Sequence, residues 1–257
     1  MTNSPLQLVV CQVRHERNLA VADVTKALAI REALGDYKLE EARQQQIEFL
    51  ASPEGVSPLS TPLEQHGWRL RSRDVTGWTV SLRPESFALE SSGYTSWTDF
   101  RDRLEPLVRA VHEHLKPAAE LRLGLRYIDR IKLPDIARPL DWQGYIDDRL
   151  LGPLLNTQLG ASIRGQQQAV QLQGPNGSQV LLRHGVEADD SGGWPYVLDT
   201  DCSRGDSRAF DADDVLEGAH SLHRLALQIF QTAVTPALIK RLIEGEAEHD
   251  THAGANS

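Results

Sequence analysis

The sequence predicts an α+β protein in which long helices pack on one face of an antiparallel sheet or sheets. Three observations lead to this prediction. Short apolar runs with alternating polarity recur at turn-sized intervals, which is typical of antiparallel strands. Two long segments instead repeat apolar residues at helical spacing. The order strand, helix, three strands and long helix occurs twice, over 6–115 and 120–243, so we hypothesise two repeated halves.

The first half is predicted to open with a strand over 6–14, because this run is short, apolar and β-branched. A helix follows over 18–34, with Asn18 or Asp23 as its N-cap. Segment 37–65 is rich in Gln and then in Pro and Ser, and we expect a long surface connection there. Its prolines argue against a continuous helix or strand ladder; they are Pro53, Pro58 and Pro62.

A meander and a long helix complete the first half. Three alternating runs separated by turn-sized gaps predict strands over 68–73, 78–82 and 86–90. Ser96 then caps a helix that continues to Pro117. Pro106 lies inside this helical pattern, so the helix is either kinked there or begins later than Ser96 indicates.

The second half repeats this order of elements. Its first strand, over 120–131, is the longest in the chain. The remaining predicted elements are a short helix over 141–151, a hairpin of 158–173 and 178–186, a strand over 194–202 and a long helix over 211–243 that Pro236 limits or bends. We expect halves 1–117 and 118–245 to form one compact unit, followed by a disordered tail over 246–257.

Composition and charge exclude several classes of protein. The 257 residues include 27 basic and 36 acidic side chains, a formal net charge of −9, and this balance argues against non-specific nucleic-acid binding. Hydrophobic residues at 40% argue against wholesale disorder. No run approaches the roughly 20 apolar residues of a membrane helix, and the first residues lack a signal-peptide layout. We therefore expect a cytoplasmic protein with no membrane segment.

Four segments of the chain resemble one known family. They are the opening PLQLVVCQVR, the Tyr94-x-x-Trp97-x-x-Phe100 lead into a helix, the run Gly-Leu-Arg-Tyr-Ile-Asp-Arg-Ile over 124–131, and Leu198-Asp199-Thr200-Asp201 with the helix that follows it. Together they resemble a sporadically distributed bacterial family of functionally uncharacterised proteins. At the position of Asp129 that family more often has asparagine. The patchy distribution implies an accessory role in conflict, defence or a specialised pathway.

An arginine pattern is the most distinctive chemical feature of the sequence. Alternation places Arg69 and Arg71 on one face of one predicted strand, and Arg122, Arg126 and Arg130 on one face of another. Guanidinium groups suit bidentate recognition of carboxylate or phosphate, so these residues are candidates for an anion-binding sheet face. The alternative is a solvated sheet face whose ion pairs contribute only about 0–1 kcal/mol each.

The leading functional hypothesis is a non-catalytic binding protein or complex subunit, or a homo-oligomer. The five arginines would bind an anionic ligand or a macromolecular partner, and Asp199 and Asp201 would orient them if their strands adjoin. The competing hypothesis is an enzyme whose arginines hold an anionic substrate and whose acid–base group is Asp199, Asp201 or His184. A third hypothesis uses the broad apolar stripe of the last helix as a subunit interface. No catalytic residue and no cofactor are assigned.

Histidine and cysteine carry weaker signals. Glu217, His220 and His223 have a spacing used in di-metal helical bundles, but matching ligands on other helices are missing. We interpret these three as ordinary side chains on a polar helix face and assign no metal site. Cys11 and Cys202 lie in apolar runs, so we expect two buried, reduced thiols.

Overall fold

The fold is taken from a computed structural model of the chain that describes residues 5–46, 49–52, 55–58, 63–73, 77–190 and 192–243. Strand bounds within these ranges are β1 Leu6–His15, β2 Tyr37–Gln46, β3 Phe49–Ser52, β4 Gly55–Pro58, β5 Leu63–Ser72, β6 Trp78–Arg83, β7 Ser86–Ser91, β8 Ala119–Ile131, β9 Gly165–Gln173, β10 Gln179–Glu187, β11 Tyr196–Arg204 and β12 Arg208–Ala209. Helix bounds are α1 Val24–Leu34, α2 Trp97–His114, α3 Asp148–Leu151, α4 Ala212–Ala233 and α5 236–243.

Ten of these strands form one antiparallel sheet. Its order is β2-β5-β6-β7-β1-β8-β11-β10-β9, with β12 paired to the start of β8. Strands β3 and β4 form a separate hairpin. The long strand β8 lies beside β1 at the centre, where Cys11 faces Leu125 in the register. The predicted α+β class with an antiparallel sheet is confirmed.

The helices pack on one face of this sheet because the strands alternate apolar residues toward them. Val9, Cys11 and Val13 of β1 and Leu123 and Leu125 of β8 are at most 1% exposed and contact residues of α1, α2 and α4 in one hydrophobic core. A second core joins β10 and β11 to α3, α5 and the end of α4. The apolar side chains of the opposite face belong to neither core, so the described helices leave that face uncovered.

The two halves share a strand order. In the first half the order outward from the centre is β1-β7-β6-β5, and in the second it is β8-β11-β10-β9. Strand β2 extends the first half by one edge strand. The connections differ, since the eleven-residue α1 follows β1 whereas β8 is followed by short 3-10 turns and the four-residue α3. The common strand order agrees with the hypothesis of repeated halves, which stays a hypothesis.

The predicted surface connection over 37–65 is wrong in its first part. Residues Tyr37–Gln46 form β2, which pairs along its whole length with β5. The glutamine-rich sequence has no apolar alternation that would predict a strand. An edge strand is nevertheless held by backbone hydrogen bonds to its one neighbour, and only one of its two faces needs to pack against the rest of the protein. Pro58 ends the outer hairpin strand β4, while Pro53 and Pro62 lie outside the described residues.

The predicted single helix over 211–243 is wrong, because the helix is broken near Pro236. Helix α4 ends at Ala233, and Val234 forms an isolated bridge with Ile146. Proline disfavours helical geometry in the residue before it. Val234 is extended, and the Thr235 hydroxyl accepts a hydrogen bond from the Leu238 amide at 3.3 Å, at the start of α5.

The predicted helix over 141–151 is also wrong, since this segment has a 3-10 turn over Pro139–Trp142 and the four-residue α3, with Gly144 at φ +87° between them. The helices predicted after Asn18 and Ser96 are present. Asn18 caps a 3-10 turn and Asp23 caps α1, so both candidate caps are used. Helix α2 begins after Ser96, whose side chain accepts from the Asp99 amide, and it continues through Pro106. Residues 246–257, the predicted tail, lie outside the described residues. In the part of the chain that the structure describes, no helix combines the length and apolar character needed to cross a membrane.

Candidate functional site

The candidate site is the face of the sheet opposite the helices, here called the open face. It consists of every second residue of the sheet strands. One row of cross-strand neighbours on this face is Arg71, Thr79, Glu90, Val10, Arg126 and Asp201. Cross-strand neighbours share a face because side chains alternate along each strand. All seven predicted site residues lie on this face: Arg69, Arg71, Arg122, Arg126, Arg130, Asp199 and Asp201.

Arginines of β8 and aspartates of β11 form a ladder of ion pairs. Arg126 donates from Nε and Nη2 to the two oxygens of Asp199 at 2.6 and 2.7 Å, a bidentate pair. Nη2 of Arg122 lies 3.0 and 3.2 Å from the two oxygens of Asp201. Strands β8 and β11 are adjacent, which is the condition under which Asp199 and Asp201 are expected to orient the arginines. The hydrogen bond from Arg126 to Asp199 raises the pKa of Arg126.

Further charges extend this ladder at the outer side. Arg183 of β10 donates to Asp199 at 3.3 Å. Arg130 lies 3.8 Å from Glu187 and 3.9 Å from Asp189, and Lys132 lies 2.8 Å from Asp189. The cations of β8 are therefore largely balanced by carboxylates of the same chain, which leaves less of their charge for a free anion than the sequence analysis assumed.

Arg69 and Arg71 form a second, separate cluster on β5. Strands β6, β7 and β1 lie between β5 and β8, a separation of about 19 Å at roughly 4.8 Å per strand step. Arg71 lies 3.5 Å from Glu40, and Nε of Arg69 is buried without a hydrogen-bond partner in the described part of the chain. The Lys38 ammonium, hydrogen-bonded to Glu40, and then the charges of Arg71 and Arg69 lower the pKa of that carboxyl.

Four apolar side chains, here called the apolar strip, lie beside and between the charges of the ladder on β1, β8 and β11. Leu8 and Val10 of β1, Ile128 of β8 and Val197 of β11 are all half-buried on the open face. None of them belongs to either hydrophobic core. The open face thus carries apolar side chains interleaved with fixed ion pairs.

A depression of about 320 Å³ lies at the outer end of the open face. Gly185 leaves space there between Arg183, Asp199 and Glu187. His184 also lines it, but this side chain is 3% exposed and its Nδ1 lies 2.8 Å from the Tyr196 hydroxyl. Burial lowers the pKa of His184, which favours its neutral form.

The interpretation of His220 and His223 as ordinary polar-face side chains is wrong. Trp97 of α2 donates from Nε1 to His220 Nδ1 at 3.0 Å, and its ring lies parallel to His223 with centroids 4.3 Å apart. The Tyr127 hydroxyl lies 2.8 Å from His223 Nδ1. Burial, and then the charge of His220, lowers the pKa of His223 to about 4. Glu217 is exposed. These residues pack between α4, α2 and β8, which the spacing on α4 alone could not show.

Asp129 is a buried carboxylate that the sequence analysis did not use. It is 8% exposed, and burial raises its pKa to about 7. Its position could have been found from the sequence, since Tyr127, Asp129 and Ile131 fall on the apolar face of β8 by simple alternation. The described residues contain no group of three or more potential metal ligands.

A second set of buried charges holds the helix face together. Arg204 of β11 donates to both carboxylate oxygens of Glu120 at 2.8 and 2.7 Å, and to Asp214 of α4 at 2.7 Å. Glu120 is 1% exposed. This arrangement joins β8, β11 and the first turn of α4, and it faces away from the candidate site.

The two thiols are buried and free as expected. Cys11 and Cys202 both pair with Leu125, from opposite sides of β8, so two strand spacings of about 4.8 Å each separate them. That distance exceeds the reach of a disulfide. Burial raises the pKa of each thiol to about 12.

Comparisons with known proteins assign no family to the chain: no family model, no curated protein and no solved structure matches it. Its function is therefore inferred from the geometry of its own residues.

Proposed function

We propose that this chain is a non-catalytic binding protein or complex subunit of the cytoplasm that docks a protein partner on its open face. One observation carries this proposal: apolar side chains interleaved with ion pairs lie on a sheet face outside both hydrophobic cores. An accessory role in conflict or defence is implied only by the family resemblance.

The apolar strip supplies what a partner surface would bury. Leu8 lies directly opposite Ile128, and Val10 and Val197 lie diagonally to Ile128 on the two adjacent strands, so the four side chains are near neighbours. Contact with a partner would remove this patch from water, and the free-energy gain scales with the apolar area covered.

The paired arginines favour a protein partner over a free anion. Asp199 already accepts from Nε and Nη2 of Arg126, so a small anion could form that bidentate pair only by displacing Asp199. The remaining donors favour an acceptor that is also held by other contacts, as a protein surface would be. Arginine is enriched in protein interfaces, and fixed charges contribute specificity and fast association there. The β5 cluster of Arg69 and Arg71 would suit an acidic segment of the same partner.

The proposal is tested by substituting the apolar strip. Ile128→Lys places a charge in the patch, and its ammonium can pair with Asp199 directly opposite, so the fold is expected to persist. We expect at least about tenfold less partner in affinity purification from the host, quantified against wild type. Leu159→Lys, at a 61% exposed site elsewhere, is the matched control and should recover the partner fully.

Arginine variants test the charged side chains of the open face separately. Arg126→Ala combined with Arg130→Ala should also weaken capture strongly, because two guanidinium groups that would donate hydrogen bonds to the partner and orient it are removed. Unchanged recovery with both Ile128→Lys and the arginine variants would contradict the open face as the docking surface.

An enzyme acting on an anionic substrate is the second candidate. In its favour, Asp199 and Arg183 line one depression; the His184 side chain faces the helix side of the sheet, because its cross-strand neighbour is the core residue Leu198. Against it, Asp199 already accepts hydrogen bonds from Arg126 and Arg183, and His184 bonds to Tyr196. If the chain is an enzyme with its site in this depression, Asp199→Asn should abolish turnover of a phosphorylated or carboxylated substrate while leaving its binding nearly unchanged.

A further inference from the structure

A second concave site lies on the helix side of the sheet, away from the open face. This pocket, here called the β8–α4 pocket, has a volume of about 170 Å³. A cavity of about 150 Å³ is large enough to hold benzene, so a compact organic group fits. Its lining residues are Leu6, Tyr94, Tyr127, Asp129, Thr200, His223, Ala226, Leu227 and Phe230.

Asp129 is the polar group that needs a partner in this pocket. Only 8% of its surface is exposed. Its neighbours on the two adjacent strands are the apolar residues Leu6 and Leu198. Among the described residues it has no hydrogen-bond or ion-pair partner, and burial is the cause of its raised pKa. A buried carboxylate without a donor costs several kcal/mol unless it is protonated or meets a ligand.

The other titratable groups facing Asp129 cannot neutralise it. From the segment before α2 comes Tyr94, from β8 itself Tyr127, and from α4 His223. Both tyrosines have raised pKa values and His223 a lowered one, chiefly because of burial, so all three favour their neutral forms. No lysine or arginine lines the pocket within the described ranges.

The rest of the lining favours an organic cation with an apolar stem. The rings of Tyr94, Tyr127 and Phe230 offer aromatic surface, which attracts an ammonium group through its π-electrons. Ala226 and Leu227 offer aliphatic contacts, and Leu227 is 46% exposed, so the pocket is reached from the surface. The buried Thr200 hydroxyl can accept a further hydrogen bond from the cation.

We propose that the β8–α4 pocket binds a primary ammonium group on a short apolar stem, with the carboxylate of Asp129 as its counter-ion. The ammonium would be carried by a free alkylamine or by the lysine side chain of another protein. This proposal is independent of the open face, since the pocket lies on the opposite side of the sheet.

Isothermal titration calorimetry with n-butylamine tests the proposal on the wild-type protein. At pH 8 the amine is charged and Asp129 is mostly ionised, so we expect saturable binding; butanol and butyrate, of similar size, should bind at least about tenfold more weakly. At pH 5 the amine is still charged but Asp129 is protonated, since its pKa is about 7. We therefore expect the affinity to fall at least about tenfold between pH 8 and pH 5.

Variants link the binding to one carboxylate. Asp129→Asn should lose butylamine binding at pH 8, whereas Asp102→Asn, which removes an exposed carboxylate on α2, should keep it. The proposal is overturned if butanol binds as tightly as butylamine, or if wild-type affinity for butylamine is the same at pH 5 and pH 8. It is also overturned if neither butylamine nor a lysine with a blocked backbone binds.

Nα-acetyl-lysine N-methylamide, whose ε-ammonium is free, distinguishes the two sources of the ammonium group. Binding as tight as that of butylamine supports a lysine side chain of a partner as the occupant. Binding of butylamine alone supports a free small amine.

Discussion

Asp129 and Asp199 are both buried carboxylates on neighbouring strands, yet their surroundings differ. Asp199 lies on the open face and receives hydrogen bonds from Arg126 and Arg183. Asp129 lies on the helix face between Leu6 and Leu198, where nothing in the described chain compensates its charge. The two aspartates lie on opposite faces of the sheet, so Asp199 is held in ion pairs whereas Asp129 is available to a ligand.

The raised pKa of Asp129 predicts a pH dependence of stability. The pKa is about 7 in the folded chain against a reference of 3.8, so the folded state binds the proton more tightly. Its contribution to stability is full below pH 3.8 and is lost as pH rises through about 7. Relative to wild type, Asp129→Asn should gain up to about 4 kcal/mol between pH 4 and pH 8, at about 1.4 kcal/mol per pKa unit.

Urea unfolding of wild type and variant across this pH range measures the difference. Because only the difference is used, the titration of the buried histidines cancels. The Asp102→Asn control should run parallel to wild type. A constant difference between Asp129→Asn and wild type would show that Asp129 titrates normally in the folded chain.

At the scale of elements, β10 depends on a glycine where it pairs with β9. Gly185 has φ +157°, a backbone region that favours glycine, and a Cβ there would overlap the Gln166 carbonyl oxygen. The same glycine opens the depression beside Arg183. Close strand pairing and a concave open face therefore have one cause.

Gly185→Ala should destabilise the protein by at least about 2 kcal/mol, because the new methyl group strains the backbone and separates β9 from β10. Gly205→Ala is the matched control, since a Cβ there meets no atom within 4 Å. Its free energy of unfolding should stay within about 0.5 kcal/mol of wild type. Equal stability of the two variants in denaturant titrations would contradict this role of Gly185.

At the scale of the whole molecule, the two halves share one sheet. Strands β1 and β8 pair from Leu6 to His15 at its centre, and α2 and α4 pack over both in one core. Neither half can therefore bury its central strand alone.

We accordingly expect a single cooperative unfolding transition for the full chain. A fragment of residues 118–243 should fail to fold, because β8 loses β1 and α4 loses α2. Circular dichroism during urea titration of both chains checks this. A cooperative transition of the fragment alone would instead show that the second half is an independent domain.

The sequence by itself determined the elements whose periodicity is imposed by burial on one side. Strand β8, with Arg122 and Leu123 on opposite faces, is one example, and α2 with its Ser96 cap is another. Local chemistry also set the caps Asn18 and Asp23. Periodicity did not predict β2, because its polar residues are held by backbone pairing rather than by burial.

Only the tertiary structure decided which side chains meet. It paired Arg126 with Asp199, 73 residues apart, and placed three strands between Arg69 and Arg126 and four between Arg69 and Asp199. It also brought Trp97 onto His223 and left Asp129 without a partner at the β8–α4 pocket. The physical reason is that alternation fixes the face of a residue, whereas its neighbours depend on strand order, which is set by long-range pairing that local sequence does not encode.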